Sequence, residues 1–171
     1  MLELLFLLLP VAAGYGWIMG RNSIKESQAK ASKKFSKQYY KGLNFLLSDQ
    51  PDKAVDTFIK RLDVDSDTFE THIALGNSFR RKGEIDRAIR IHQNLINRDE
   101  LDTSRRELAL LELGKDFLIS GLYGRAEKIF LELSHHPLHA KESFTHLLDI
   151  YQSTKEWAKA IEMAEKVTLE K

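Results

Sequence analysis

The sequence predicts an all-α fold: one N-terminal transmembrane helix, then a tetratricopeptide-type solenoid of four stacked helical hairpins. Three observations predict it. Residues 1–20 form an apolar run whose one charged side chain is Glu3. The remainder is rich in strong helix formers, and the 171-residue chain has only three prolines. An alanine preceded by a basic residue recurs at Ala54, Ala88, Ala126 and Ala160, at spacings of 34, 38 and 34 residues.

The N-terminal run, MLELLFLLLPVAAGYGWIMG, just reaches the roughly 20 apolar residues that a helix needs to cross a bilayer core. A cleaved signal peptide is the alternative, since Ala12-Ala13-Gly14 offers a cleavage-like site. A signal peptide has its basic region before the apolar run, and here the basic residues follow it. Residues 21–34 form a basic juxtamembrane segment with Arg21, Lys25, Lys30, Lys33 and Lys34 against Glu26. Positive charge favours the cytoplasmic side, so the expected topology is single-pass in a bacterial inner membrane, N-terminus periplasmic and repeats cytoplasmic. The same basic stretch suits anionic headgroups. Ala12, Gly16 and Gly20 recur every four residues and would offer one small-residue face to another membrane helix. Glycine is also simply common in membrane helices, so this contact is an expectation from spacing alone.

Aligning on the repeated alanines exposes the rest of the pattern. Twelve residues earlier stand Gly42, Gly76, Gly114 and Leu148; nine earlier stand Phe45, Phe79, Phe117 and Tyr151. Four later stand Phe58, His92, Phe130 and Ala164. A 34-residue period with small, aromatic, alanine and aromatic positions at these offsets is the tetratricopeptide signature. The glycine admits a closely packed second helix, and the aromatic three residues on shares its face. The predicted units are 35–68, 69–106 with an inter-hairpin loop, 107–140 and an incomplete 141–171. In the fourth, Leu148 and Ala164 exchange large for small, and Gly76 is expected to face Ala88 across the second hairpin. With no terminal capping helix, the chain reads as the N-terminal portion of a longer array.

Function is narrowed mainly by exclusion. With 26 Lys+Arg against 25 Asp+Glu, no nucleic-acid partner is expected, and with no cysteine there is no disulfide or thiolate metal site. No nucleotide-binding, nucleophile-elbow or zinc-protease motif is present, so no enzyme and no cofactor is expected. His135, His136 and His139 surround Pro137 at the junction of the third and fourth units. They read as loop surface histidines rather than a zinc site, with no acid between them.

The first helix of each hairpin lines the inner face in this architecture. The candidate partner-binding groove is Tyr39, Leu43 and Leu46 in the first unit, with Leu47 alongside. Asn77, Arg80 and Arg81 follow in the second unit and Lys115 in the third. The groove would be apolar near the membrane and basic in the middle, taking an acidic segment of a partner. The leucines could instead pack against the juxtamembrane segment, and Arg80 and Arg81 could instead serve as last-turn cations of their helix.

The stretches LELLFLLLPVAAGYGW, GLNFLLSDQPDKAVDTF and GEIDRAIRIHQNL resemble the lipopolysaccharide assembly protein B family of Gram-negative bacteria. That resemblance implies an inner-membrane adaptor with cytoplasmic repeats. Its implied partners are a membrane AAA+ protease, a lipopolysaccharide-sensing inner-membrane regulator and, as client, the deacetylase that commits precursors to lipid A. A general scaffold of a membrane assembly is the competing reading. Family members also carry further repeats and a C-terminal rubredoxin-like domain with two Cys-x-x-Cys pairs. No cysteine stands here, so that metal site does not carry over.

Overall fold

The computed structural model describes residues 37, 39–61, 66–99 and 101–169. The apolar run 1–20, its contact residues Ala12, Gly16 and Gly20, and the basic segment 21–34 lie outside them. The described residues are all helix and turn, without a strand. No described helix is long and apolar enough to cross a membrane.

Eight helices form four consecutive hairpins. The first pairs α1, helical over residues 39–47, with α2 (Pro51–Arg61). The others pair α3 (Ser66–Arg81) with α4 (Ile85–Ile96), α5 (Thr103–Ile119) with α6 (Tyr123–Leu133), and α7 (Ala140–Ser153) with α8 (Trp157–Leu169). Between hairpins α4 packs on α5 and α6 on α7, while α2 meets α4 and α3 meets α5. Contacts between near neighbours in sequence are how a solenoid is held together.

The repeated residues account for the hairpin geometry. In each turn, the position five before the alanine adopts a left-handed backbone: Asp49 (φ 55°), Gly83 (φ 80°), Gly121 (φ 75°) and Lys155 (φ 63°). The next amide then donates back to the carbonyl of the repeated aromatic: Gln50 to Phe45, Glu84 to Phe79, Leu122 to Phe117 and Glu156 to Tyr151, at 2.8–2.9 Å. This is the closure that caps a helix whose last carbonyls lack partners. Glycine accepts the conformation freely, whereas Asp49 and Lys155 hold it at a cost.

Packing matches the offsets with one correction. Ala54, Ala88 and Ala126 are completely buried, as their close helix approach requires. The side chain pressed hardest against Gly76 is not Ala88 but the one a turn on: a Cβ on Gly76 would overlap the His92 ring. Likewise Cβ atoms on Gly42 and Gly114 would meet the Phe58 and Phe130 rings at 2.7 and 2.9 Å. The small position makes room for the large one of the opposite helix. Leu148, which replaces glycine in the fourth hairpin, packs against the main core.

The extra residues before the third hairpin form an ordered joint. Arg106 donates to the carbonyls of Ile96 and Arg98 at 2.8 and 2.9 Å, satisfying the exposed end of α4. Asp102 caps α5, its side chain accepting from the Arg105 amide at 2.8 Å.

Candidate functional site

Three first helices, α3, α5 and α7, bring the charged residues of the array together. Arg80, in the last turn of α3, reaches across to α5. Its Nη1 donates to Asp116 Oδ1 at 2.8 Å and to the Glu112 carbonyl at 3.1 Å. Its Nη2 donates to Asn77 Oδ1 at 2.7 Å and to the Glu112 carboxylate. The other oxygen of Asp116 accepts from His92 Nδ1 of α4 at 2.5 Å. Lys115 then bonds Glu112 at 3.0 Å and Glu142 of α7 at 2.7 Å. A continuous chain of charge, His92–Asp116–Arg80–Glu112–Lys115–Glu142, thus ties three hairpins together.

Burial makes this chain of bonds necessary. The side chains of His92 and Asp116 are 0% exposed, that of Glu112 9% and that of Arg80 14%. A carboxylate taken out of water needs a counter-charge and donors. Burial opposes the charge on Arg80, but its bonds to Glu112 and Asp116 outweigh it and raise its pKa. Burial likewise opposes the charge on Glu112, yet Arg80 and Lys115 hold its carboxyl below the usual range. For Lys115, the bonds to Glu142 and Glu112 overcome burial and raise its pKa. His146, beside Glu142 at 3.7 Å and stacked on Phe130 with centroids 4.7 Å apart, goes the other way. Burial lowers its pKa despite the opposing pull of Glu142.

The structure therefore gathers Asn77, Arg80 and Lys115 as the spacing suggested, but the gathered surface is not basic. Two cations there meet three carboxylates, so Arg80 and Lys115 are already paired inside the protein. The sequence expectation missed Glu112, Asp116 and Glu142 because it followed only the residues flanking the glycines. Arg81 is exposed and has no ion pair among the described residues. Thr145, Asp149 and Gln152 of α7 are exposed as well.

Two apolar groove candidates are core residues instead. The Tyr39 ring meets Phe58 edge-on at 5.9 Å, and Leu46 packs against Val55 and Phe58 in the hairpin cores. Leu43 is half-buried, while Leu47 stands out into solvent. The histidine junction also differs from expectation. Glu107 of α5 reaches it, with an oxygen 2.8 Å from His136 Nδ1 and the other 3.7 Å from His139 Nε2, and His139 is buried. No group able to hold a metal ion occurs among the described residues.

The basic residue before two of the alanines has a use that the sequence did not reveal. Arg125 lies over the Phe117 ring at 5.4 Å and Lys159 over Tyr151 at 4.9 Å, each on the aromatic of its own hairpin.

Comparison with known proteins agrees with this architecture. The tetratricopeptide repeat profile matches residues 71–104. Lipopolysaccharide assembly protein B of Escherichia coli (strain K12) is 50% identical over 167 residues, covering 98% of this chain and 43% of the relative. Its counterpart from Haemophilus influenzae is 47% identical over 175 residues, covering 98% of this chain and 44% of the relative. The chain thus spans less than half the length of these curated relatives.

Proposed function

We propose, from the premise that this chain belongs to the lipopolysaccharide assembly protein B family, that it is a non-catalytic repeat adaptor controlling lipopolysaccharide synthesis. Residues 1–20 anchor it in the inner membrane, with the N-terminus periplasmic and the repeats cytoplasmic. Ala12, Gly16 and Gly20 pack against the membrane helix of a lipopolysaccharide-sensing regulator. The array presents a lipid A-committing deacetylase to a membrane AAA+ protease.

The observation that carries this reading is the inner face that charge pairing fixes across three hairpins. A surface held in one shape loses little freedom when a partner binds. Its exposed charges are of both signs: Arg81 on α3, and Glu142 and Asp149 on α7. The partner segment is therefore one of mixed charge, aligned along α3 and α7, rather than a purely acidic one.

Crosslinking from membranes, combined with the half-life of the deacetylase, tests the proposal. Arg81→Glu with Asp149→Lys inverts the exposed charges while sparing the buried network. The expected result is an unchanged melting temperature, loss of the partner crosslinks and a longer deacetylase half-life. Retained crosslinks with an unchanged half-life overturn the groove. A half-life indifferent to deletion of the whole protein leaves a general scaffold in place of the adaptor.

A further inference from the structure

Beyond the inner face, α1 presents a second surface. Lys37, Tyr40, Lys41, Asn44 and Leu47 follow i, i+3, i+4, i+7 and i+10 spacing and share one helix face. All five are exposed, Tyr40 to 69% and Leu47 to 87%. With Leu43 they line a shallow hollow of about 730 Å³. A leucine and a tyrosine so open to water, flanked by lysines and with no acid among the lining residues, mark an interaction surface.

The repeat register shows what this face does elsewhere. Tyr40 and Asn44 stand where Glu112 and Asp116 stand in the third hairpin, fourteen and ten residues before the alanine. There, the same face of α5 meets the preceding hairpin through Arg80. Among the described residues no hairpin precedes α1 to make that contact.

We infer that the outer face of α1 lies on an anionic bilayer surface. The inference rests on the reading that residues 1–20 anchor the chain in a membrane. Charge decides among the occupants. The chain's own segment 21–34 is itself basic, with Arg21, Lys25, Lys30, Lys33 and Lys34, and would set lysine against lysine. A second copy docking face to face would do the same. Anionic headgroups attract Lys37 and Lys41, tyrosine favours the interface, and Leu43 and Leu47 reach the acyl boundary. The sixteen residues between 20 and 37 span at most about 55 Å, which keeps α1 within reach of the bilayer. The face would orient the array by fixing one end of it against the membrane.

The absence of cysteine makes the test direct. Full-length single-cysteine variants Leu47→Cys and Trp157→Cys are labelled with an environment-sensitive fluorophore. They are reconstituted into vesicles of phosphatidylcholine alone or with phosphatidylglycerol. Trp157 is 61% exposed on the last hairpin and serves as the control. The expected result is a blue shift and quenching by lipid-attached nitroxides at Leu47→Cys in the anionic vesicles, with neither at Trp157→Cys. Lys37→Gln with Lys41→Gln should weaken this docking roughly 30-fold, at about 5-fold for each lysine near the surface, without releasing the chain from the vesicles. A Leu47 probe that remains accessible to aqueous iodide on vesicle-bound chain overturns the inference. So does one shielded from both iodide and nitroxide, which marks a protein cover. A chain that fails to float with either vesicle overturns the anchor reading and, with it, the face.

Discussion

Arg80→Met removes the guanidinium while keeping most of the side chain's length. Among the described residues Arg80 is the only arginine or lysine that bonds Asp116, which is fully buried, and it shares Glu112 with Lys115. Removing one partner of a buried pair costs about 3–5 kcal/mol, because the other charge remains out of water. Here Asp116 keeps His92 and Glu112 keeps Lys115, so the lower end, about 3 kcal/mol, is expected. The loss falls at the joint between the second and third hairpins, not within either. In an array whose stability is a sum of repeats and interfaces, weakening one joint uncouples the two sides. Urea unfolding of the full chain in mild detergent, followed by far-ultraviolet circular dichroism, should show a lower first midpoint and a broadened or split transition. Arg80→Lys keeps the charge but cannot bond two carboxylates and Asn77 at once, so it should fall between wild type and Arg80→Met. A midpoint unchanged in Arg80→Met refutes the structural role. If the same variant lost its partner crosslinks, Arg80 would return to partner binding.

Other outcomes follow from the same contacts. Gly76→Ala drives a methyl into His92, whose buried ring is held by Asp116, and should destabilise by about 1–3 kcal/mol in the same unfolding assay; an unaltered midpoint would contradict the packing. Lys155→Gly relieves a left-handed lysine and should stabilise by up to about 1 kcal/mol after glycine's entropic cost, read as a slightly higher melting temperature. A fall would show that Lys155 is not strained. Burial lowers the His146 pKa from 6.5, so the folded state resists the proton that the unfolded state accepts. Its stabilising contribution is intact above pH 6.5 and is lost as pH falls below that, through its folded pKa. The drop in urea midpoint between pH 8 and about pH 5.5 should be smaller in His146→Asn than in wild type, and an equal drop in both would rule His146 out.

The repeat register was legible because its residues recur at fixed offsets for steric reasons. Glycine, alanine and the large residue opposite form one packing unit, and three copies in register, with a fourth that exchanges large for small, are not coincidence. The identity of the glycine's neighbour was less legible. Sequence gives which residues share a helix face but not how far one helix slides along the other, and that offset makes His92 the nearest side chain to Gly76. The inner face was misread for a related reason. Lysine and arginine were visible beside the glycines, but the carboxylates that neutralise them lie one turn to either side and on the next hairpin. Glu112 precedes Gly114 by two residues and Asp116 follows it by two, so both were in view without a spacing rule to connect them to Arg80. Glu107 at the histidine junction lies 29 residues before His136 and was hidden by the same distance in sequence.

The joints of the array are not equivalent. Between the first and second hairpins the ion pairs are Asp52–Arg87 at 2.8 Å and Asp56–Arg90 at 2.6 Å, with both acids well exposed. Exposed pairs contribute about 0–1 kcal/mol each and weaken with salt. Between the second and third hairpins the pairs are buried, and breaking them strands a charge out of water. The second, third and fourth hairpins are thus linked in sequence by Arg80–Glu112 and Lys115–Glu142, whereas the first is joined by apolar packing of Val55, Phe79, Ala88 and Ile91, by surface charge, and by bonds of His72 and Arg98 to the Phe58 and Ile59 carbonyls. Apolar packing is less directional than a buried charge network. The first joint is thus the one whose ion pairs weaken most with added salt, and it belongs to the hairpin whose outer face carries Tyr40, Leu47 and two lysines.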